Sequence, residues 1–400
     1  MKLAIAIPAL NEESNIESII ERSLAARDYI THNSTVTDVE VTVVSDGSTD
    51  RTVERASKYK DSIRLIVFPK NRGYGAAIKD AWLHTDADLL GFLDADGTCD
   101  PKFFAQLCTQ LVASGKDVAL GCRLNEHSSM PLVRRFGNTL FAMLLSIFSH
   151  SRVRDTASGM RVVRRSSLNH LFPLPDGLHF TPAMSARAML SGAVEIAEVD
   201  MPYHERVGES KLRAIQDGLH FLKVILEAAF LYRPARPLNL AGSVFGLAAA
   251  VLMFPPVLFY VHNQRVLEWM IYRFVVSHLL GTSACLCYCA SYLSAQMVEI
   301  ALADEIGAQP RVWLARLFTS RWFWTAPAAL FVTGGALVLG SFLQLVETGS
   351  TYEHWSRFIV MTFCFSTAII LLVTRCIDYV LGLVRERVLY WQRVGGAEGA

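Results

Sequence analysis

After Pro237 the sequence contains four long apolar runs, which constrain the fold more than any other feature. About 20 apolar residues suffice to cross the hydrocarbon core of a bilayer as a helix. The runs cover residues 238–261, 271–293, 325–346 and 358–384. They account for a mean hydropathy of +0.30, which is high for a wholly soluble protein. The sequence therefore predicts a four-span transmembrane domain, and its boundary is marked by Arg233, Pro234, Arg236 and Pro237.

The loops between these runs differ in positive charge. Arginine is frequent between the second and third runs and in the tail, at Arg311, Arg316, Arg321, Arg385, Arg387 and Arg393. Because positively charged loops stay on the cytosolic side, we expect an integral, multi-pass membrane protein with both termini in the cytosol. Arg375 and Asp378, inside the fourth run, are interpreted as residues at the cytosolic interface rather than as a buried pair.

The part before Pro237 alternates short apolar strands with amphipathic helical segments. Predicted strands cover residues 3–7, 39–44, 64–68, 89–93 and 117–121. This alternation predicts an α/β fold with a mostly parallel, Rossmann-like sheet and helices on both faces. The first apolar run is too short for a signal peptide and meets Pro8 at once, so it is expected to be the first strand of a cytosolic domain.

Polar residues follow four of the predicted strands directly. They are Glu12, Asp46, the loop from Asn71 to Gly75, and the pair Asp94 and Asp96. In parallel α/β sheets ligands bind beyond the carboxyl ends of the strands. Together these signals predict a nucleotide-diphosphate site. The carboxylates would take base, ribose and metal, and the glycine loop and the start of its helix would offer backbone N–H groups to phosphate.

Asp94 and Asp96 are the most specific of these signals. Two carboxylates at the end of a buried strand repel each other unless a cation lies between them, and Mg²⁺ or Mn²⁺ with a phosphate attached is the usual partner. The alternative is a polar turn, which we accept for Asp100, the predicted N-cap before Pro101. We favour a divalent metal site for Asp94 and Asp96.

Four motifs match a known family in order and spacing. Pro8-x-x-Asn11-Glu12, Asp46-Gly47-Ser48-x-Asp50, Asn71-x-Gly73-x-Gly75 and Asp94-x-Asp96-Gly97 closely resemble the family 2 glycosyltransferases with the GT-A fold. Residues 152–161 and 202–212 resemble segments of the dolichyl- and polyprenyl-phosphate sugar transferases. Thr98 departs from the family pattern, in which glutamine is frequent at that position.

This resemblance implies inverting transfer of one sugar from a UDP- or GDP-sugar to a polyprenyl phosphate, dolichyl or undecaprenyl, at the cytosolic face. Asp94 and Asp96 would be catalytic and hold the metal and diphosphate. The expected nucleotide-sugar contacts are Pro8, Asn11, Glu12, Asp46, Ser48, Asn71, Gly73 and Gly75. The expected acceptor-phosphate residues are Arg123, Arg135 (or the adjacent Arg134), Ser158, Arg161, Arg206, Ser210 and Lys211.

A lipid phosphate is ionised near pH 7, so this reaction requires no dedicated general base. A hydroxyl acceptor would require one, and Asp155 is then the catalytic candidate. The alternative role for Asp155 is to orient Arg161 or to cap a turn. A transferase acting on a lipid or polysaccharide hydroxyl is therefore the second hypothesis, although the Q-x-x-R-W segment of processive synthases is not found. A non-catalytic membrane scaffold with a decayed transferase domain is the third.

Two amphipathic stretches, residues 131–148 and 212–232, are interpreted as interfacial helices on the cytosolic leaflet. The predicted domains are a catalytic domain over residues 1–211, an interfacial linker over 212–236 and a transmembrane domain over 237–400. A net charge of +1 without a basic stripe argues against a nucleic-acid partner. Formation of a homo-oligomer is a hypothesis that rests only on the presence of the four spans.

Overall fold

The structure is a computed structural model that describes residues 1–125, 130, 132–149, 151–202, 214–302, 315–350 and 354–397. The chain divides into two compact units, Met1–Tyr232 and Arg233–Ala400. The boundary between the units coincides with the two arginines and two prolines noted in the sequence. The finer division into catalytic domain, linker and membrane domain stays a prediction.

The first unit is an α/β domain. Its strands are β1 Lys2–Ala9, β2 Asp38–Asp46, β3 Arg64–Phe68, β4 Leu89–Phe92, β5 Val118–Cys122, β6 Arg161–Arg164 and β7 Ile196–Asp200. Its helices are α1 Ile16–His32, α2 Thr52–Ser57, α3 Tyr74–Leu83, α4 Phe104–Ala113, α5 Leu132–Phe148, α6 Leu168–Leu171, α7 Phe180–Ser191 and α8 Ala214–Tyr232.

The strands form one mixed sheet in the order β3-β2-β1-β4-β6-β5-β7. β6 is antiparallel to both its neighbours, β4 and β5, whereas the other pairs are parallel. The predicted fold class, a mostly parallel sheet with helices, is confirmed. The fifth predicted strand forms as β5 but does not lie beside β4, because β6 is inserted between them.

Two hydrophobic cores cover the two faces of the sheet. In β1, Leu3, Ile5 and Ile7 belong to the core that contains residues of α1 and α4. Ala4 and Ala6 point to the opposite face and belong to the core that contains residues of α3 and α7. Because successive side chains of a strand alternate between faces, a strand buried on both sides appears in the sequence as a continuous apolar run.

The second unit is helical. Its helices are α9 Ala235–Asn263, α10 Ile271–Ala301, α11 Ala315–Thr319, α12 Thr325–Thr348 and α13 Trp355–Ala397. In the part of the chain that the structure describes, four helical segments, Ala235–Asn263, Glu268–Ala301, Thr325–Thr348 and Trp355–Tyr390, are long and apolar enough to cross a membrane. This confirms the four predicted spans.

Asp378 on α13 lies inside this helical unit rather than at its surface. Its Oδ1 accepts hydrogen bonds from the Tyr292 hydroxyl at 2.8 Å and from Gln296 Nε2 at 2.6 Å, and its Oδ2 pairs with Arg375. The side chain is 9% exposed. Asp378 is therefore buried within the helical unit, since three polar partners on α10 and α13 satisfy its carboxylate, and its place at the cytosolic interface stays a prediction.

Candidate active site

The edge of the sheet at which a ligand is predicted to bind, called the ligand edge below, is formed by the adjacent carboxyl ends of β2, β1 and β4. β1 pairs in register with both neighbours, Ala9 with Ser45 of β2 and Ala6 with Phe92 of β4. The Leu93 N–H donates to the Ala6 carbonyl at 3.0 Å and extends the pairing to the residue before Asp94. The loops that begin after these three strands therefore start at one edge.

The loops after β1 and β2 are tied together by hydrogen bonds. The Asn11 N–H donates to Ser48 Oγ at 3.1 Å, and Asn11 Oδ1 accepts from the Thr49 N–H at 2.8 Å. The Glu12 N–H donates to Thr52 Oγ1 at 2.8 Å, and Glu12 Oε2 accepts from Asn15 at 3.0 Å. Asn11 has a φ of +50°, a left-handed conformation that asparagine tolerates. These two loops therefore form one supported platform beyond Pro8.

Asp46, at the end of β2, anchors the loop that precedes α3. The Arg72 N–H donates to Asp46 Oδ1 at 2.6 Å, and the Gly73 N–H donates to Oδ2 at 2.9 Å. The carboxylate is 3% exposed. Gly47 has a φ of +70° and lies against the Lys70 and Asn71 backbone, where a Cβ would not fit. Asp46 therefore holds the loop containing Asn71 at the edge of the sheet.

The structure corrects the expectation that the N–H groups of the glycine loop bind phosphate. Besides the two donors to Asp46, the N–H groups of Gly75 and Ala76 donate to the Asp176 carbonyl at 2.6 and 3.1 Å. A side chain at Gly73 or Gly75 would collide with the backbone of residues 175 and 176. The glycines therefore allow a second loop to pack closely on the start of α3, and their N–H groups already have protein acceptors.

Asp94 and Asp96, directly after β4, are each held by a hydroxyl donor. The Tyr74 hydroxyl donates to Asp94 Oδ1 at 2.6 Å. Burial and the charge of Asp94 raise the pKa of Tyr74 well above its ordinary value, so the phenol stays a donor. Asp96 Oδ1 accepts from Thr98 Oγ1 at 2.7 Å and from the Thr98 N–H at 3.2 Å. The side chain at position 98 therefore supports Asp96.

The turn that carries Asp94 and Asp96 is held by a side chain of α1. Arg22 donates to the Gly97 carbonyl at 3.3 Å and to the Cys99 carbonyl at 3.0 Å. On the other side, the Asp94 carboxylate lies so close to Gly159 that a Cβ at that position would overlap it. The Asp94–Gly97 turn is thus supported by contacts with three other segments of the domain.

The donor set at this turn suits a hard divalent cation. Among the described residues there is no group of three or more His, Cys, Asp or Glu side chains that would hold a metal by itself. Mg²⁺ in nucleotide sites is usually bound by one or two carboxylates, with phosphate and water oxygens completing the octahedron. Asp94 and Asp96 fit that pattern, in which the metal binds together with a diphosphate.

Asp155 is fully buried and fully engaged. Its carboxylate accepts from the Arg123 N–H at 2.9 Å, from Arg123 Nε at 2.7 Å and Nη2 at 2.8 Å, and from Asn138 Nδ2 at 2.6 Å. Burial alone would raise the pKa of Asp155, but the positive charge of Arg123 and these hydrogen bonds outweigh it and lower that pKa. Asp155 thus orients Arg123, and not Arg161 as one alternative proposed.

Two of the expected acceptor residues are buried in the domain. The Arg161 guanidinium is fully buried and donates to the carbonyls of Ser158 and Thr156 at 3.0 and 2.8 Å and to Ser185 Oγ at 2.9 Å. Burial lowers the pKa of Arg161 to about 10. Ser158 Oγ donates to the Gly121 carbonyl at 2.6 Å. These contacts correct the expectation of phosphate binding by Arg161 and Ser158, which instead shape the segment next to Gly159.

The other basic candidates differ in how much the structure says about them. Arg123 is 13% exposed and keeps its ion pair with Asp155. Arg135, near the start of α5, is exposed. Arg206, Ser210 and Lys211 lie outside the described residues, as does the side chain of Arg134.

Comparisons with known proteins point to one family. A family model described as glycosyl transferase family 2 matches residues 4–172. The dolichyl-phosphate hexose transferase of Haloferax volcanii is 34% identical over 226 residues, which are 56% of this chain and 92% of that protein. The chain belongs to glycosyl transferase family 2. The low-salt glycan biosynthesis hexosyltransferase Agl6 of the same organism is 32% identical over 256 residues, 62% of this chain and 59% of that protein.

The chain is also similar to a solved structure. Glucosyl-3-phosphoglycerate synthase from Mycobacterium tuberculosis, in complex with Mn²⁺, UDP and phosphoglyceric acid, aligns with a TM-score of 0.44 at 23% identity. The alignment covers 57% of this chain and 78% of that chain.

Four residues of this family 2 domain that contact the site were not predicted as site residues. They are Tyr74, Thr98, Arg22 and Asn138, which act on Asp94, Asp96, the Gly97 turn and Asp155 respectively. Tyr74 lies at a variable position of the Asn71-x-Gly73-x-Gly75 motif, and Thr98 directly follows the Asp94-x-Asp96-Gly97 motif. Arg22 and Asn138 lie on helices whose signal in the sequence is apolar spacing, which does not indicate a role for a single polar side chain.

Proposed function

We propose that this family 2 glycosyltransferase transfers one sugar, with inversion, from a nucleotide-diphosphate sugar to a polyprenyl phosphate at the cytosolic membrane face. The observation that carries the proposal is the Asp94 and Asp96 pair at the edge of the sheet, beside the platform of Asn11, Glu12 and Ser48. The acceptor is proposed from the relative named dolichyl-phosphate hexose transferase, 92% of whose length is matched.

On the donor side, Glu12, Asp46 and the Asn11–Ser48 contact are proposed to receive the nucleoside, with Pro8 and Asn71 at the rim. Asp94 and Asp96 would hold Mg²⁺ or Mn²⁺, which, when bound, supplies positive charge to the leaving diphosphate. The protein's own part is to keep both carboxylates oriented through Tyr74, Thr98 and the turn held by Arg22.

On the acceptor side, an ionised phosphate oxygen attacks the anomeric carbon from the face opposite the diphosphate. The new O–C bond forms as the C–O bond to the diphosphate breaks, and no proton has to be removed. The state of Asp155 supports this choice over a hydroxyl acceptor. A buried carboxylate with four hydrogen bonds and a lowered pKa is a poor general base.

The acceptor phosphate is proposed to meet Arg123, Arg135, Arg206, Ser210 and Lys211. Arg123 is oriented for this by Asp155.

α5 and α8 are proposed to lie on the cytosolic leaflet, since α5 exposes Leu132, Phe136, Leu140, Met143 and Ile147 along one face. α8 exposes Leu219 and Phe230 and contacts α5 through Phe221 and Phe141, whose rings are 5.9 Å apart.

The test is transfer of radiolabel from a panel of UDP- and GDP-sugars into organic-extractable lipid. Membranes would contain the wild type or Asp96→Ala, with and without EDTA, and Asp100→Ala, which changes a helix-capping aspartate, would serve as a matched control. We expect labelled lipid from one donor that is lost with Asp96→Ala and with EDTA and kept with Asp100→Ala. Label that stays aqueous with every donor would refute the proposed function.

A further inference from the structure

Tyr74 connects the two halves of the proposed donor site. It is the first residue of α3, and its hydroxyl donates to Asp94 Oδ1 at 2.6 Å. Both chain neighbours are fixed: the Gly73 N–H donates to Asp46 at 2.9 Å and the Gly75 N–H to the Asp176 carbonyl at 2.6 Å. The backbone of Tyr74 is thus held between the end of β2 and a distant loop, while its side chain reaches the end of β4.

The ring of Tyr74 is fixed by aromatic packing. Its centroid lies 6.4 Å from Phe92 and 6.4 Å from Phe180, with interplanar angles of 86° and 72°. Phe92 and Phe180 in turn pack edge to face at 5.8 Å. Edge-to-face pairs are favourable geometries for aromatic side chains, so these contacts favour the observed orientation of the ring. The phenol oxygen therefore has a defined position before any ligand binds.

The opposite side of the Asp94 carboxylate is limited by Gly159, where a Cβ would overlap it. The Asp94 carboxylate thus lies between the Tyr74 hydroxyl and the backbone of Gly159, where only a residue without a Cβ leaves room for it. Hydrogen bonds to ligating carboxylates orient them, and loss of such a partner typically lowers metal affinity or activity about 10- to 100-fold.

We propose that Tyr74 is a positioning residue of the transferase, which fixes the Asp94 carboxylate for binding of the divalent metal with the donor diphosphate. This inference rests on the proposed function, because it assigns Asp94 to the metal and diphosphate. Tyr74 acts through Asp94 and forms no bond to the reacting atoms.

The test measures binding of Mn²⁺ to the purified full chain in the presence of UDP or GDP, by electron paramagnetic resonance of free Mn²⁺. Tyr74→Phe keeps the ring and removes only the hydroxyl. We expect its Mn²⁺ dissociation constant to rise about 10-fold or more, with the domain still folded at the assay temperature. Tyr59→Phe is the matched control, since it removes another tyrosine hydroxyl that donates to a carboxylate, Glu21, also at 2.6 Å.

A second arm separates positioning from a general effect on the domain. In an Asp94→Asn background, Tyr74→Phe is expected to change Mn²⁺ binding no further, since Tyr74 acts through that carboxylate. Wild-type Mn²⁺ affinity in Tyr74→Phe, or an equal loss in Tyr59→Phe, would overturn the inference. Failure of the wild type to label lipid with any donor would instead overturn the proposed function, because Mn²⁺ and nucleotide binding is measured without an acceptor.

Discussion

Replacing Arg123 by alanine would leave the Asp155 carboxylate buried without its cation. The substitution removes two guanidinium hydrogen bonds, at 2.7 and 2.8 Å, from a side chain that is fully buried. Breaking a buried ion pair by removing one partner costs about 3–5 kcal/mol. For a domain of this size each kcal/mol lowers the melting temperature by about 2–4 °C, so we expect a decrease of about 6–20 °C.

Arg154→Ala is the matched control, because it removes a neighbouring arginine from an exposed pair. Arg154 is 51% exposed and pairs with Asp200, which is 58% exposed, and at a longer distance of 3.5 Å with Glu198. Pairs of this kind contribute about 1 kcal/mol or less, so a decrease of no more than about 4 °C is expected. Thermal unfolding of the purified full chain, followed by circular dichroism, measures both variants.

The pH dependence adds an independent check. The folded pKa of Asp155 is lowered, so its stabilisation is present above the unfolded value of about 3.9 and is lost as the pH falls through the folded pKa. The wild type therefore keeps this contribution between about pH 7.5 and 5. In Arg123→Ala burial is no longer opposed by the cation, the pKa of Asp155 rises, and protonation relieves the penalty. The difference in melting temperature between the wild type and Arg123→Ala should therefore become smaller as the pH falls. A constant difference, or one no larger than for Arg154→Ala, would refute this reasoning.

Two further substitutions test the turn after β4 and the helical unit. Gly159→Ala places a methyl group against the Asp94 carboxylate and should lower the transfer rate about 10- to 100-fold. Gly137→Ala, whose Cβ meets no atom within 4 Å, should keep the wild-type rate. Equal rates for the two variants would contradict the close approach of Gly159 to Asp94. Asp378→Ala removes the carboxylate that accepts from Tyr292, Gln296 and Arg375. It should lower the melting temperature more than Glu299→Ala, which breaks an exposed ion pair with Arg385. The reverse order would contradict burial of Asp378.

The ligand edge could be predicted from the sequence because it depends on local signals. The apolar run before Asp94 and the apolar run before Asp46 are strands, and parallel strands bring their ends together. β6 and β7 were not predicted. β6 is the four residues Arg161–Arg164, two valines between arginines, which has no alternation to distinguish it from a loop.

Contacts between distant segments could not be predicted. Arg161 was assigned to phosphate through the resemblance to the polyprenyl-phosphate sugar transferases, yet carbonyls and a hydroxyl of its neighbours satisfy it in the core. The glycine loop has the pattern of a phosphate site, but its N–H groups donate to Asp46 and to the Asp176 carbonyl, which lies 101 residues after Gly75. Asp155 was correctly linked to an arginine, but its partner is Arg123.

The central claim is that the acceptor is a lipid phosphate. A comparison of two lipids as acceptors tests it most directly. Purified full chain, with the donor identified in membranes, would be given a polyprenyl phosphate or the polyprenol of the same length. We predict labelled product from the phosphate alone, labile to mild acid, and lowered but not abolished by Asp155→Asn per folded protein, because that variant weakens the orientation of Arg123 and removes no base. Transfer to the polyprenol at an equal or greater rate, abolished by Asp155→Asn, would contradict the account and establish a hydroxyl acceptor with a carboxylate base.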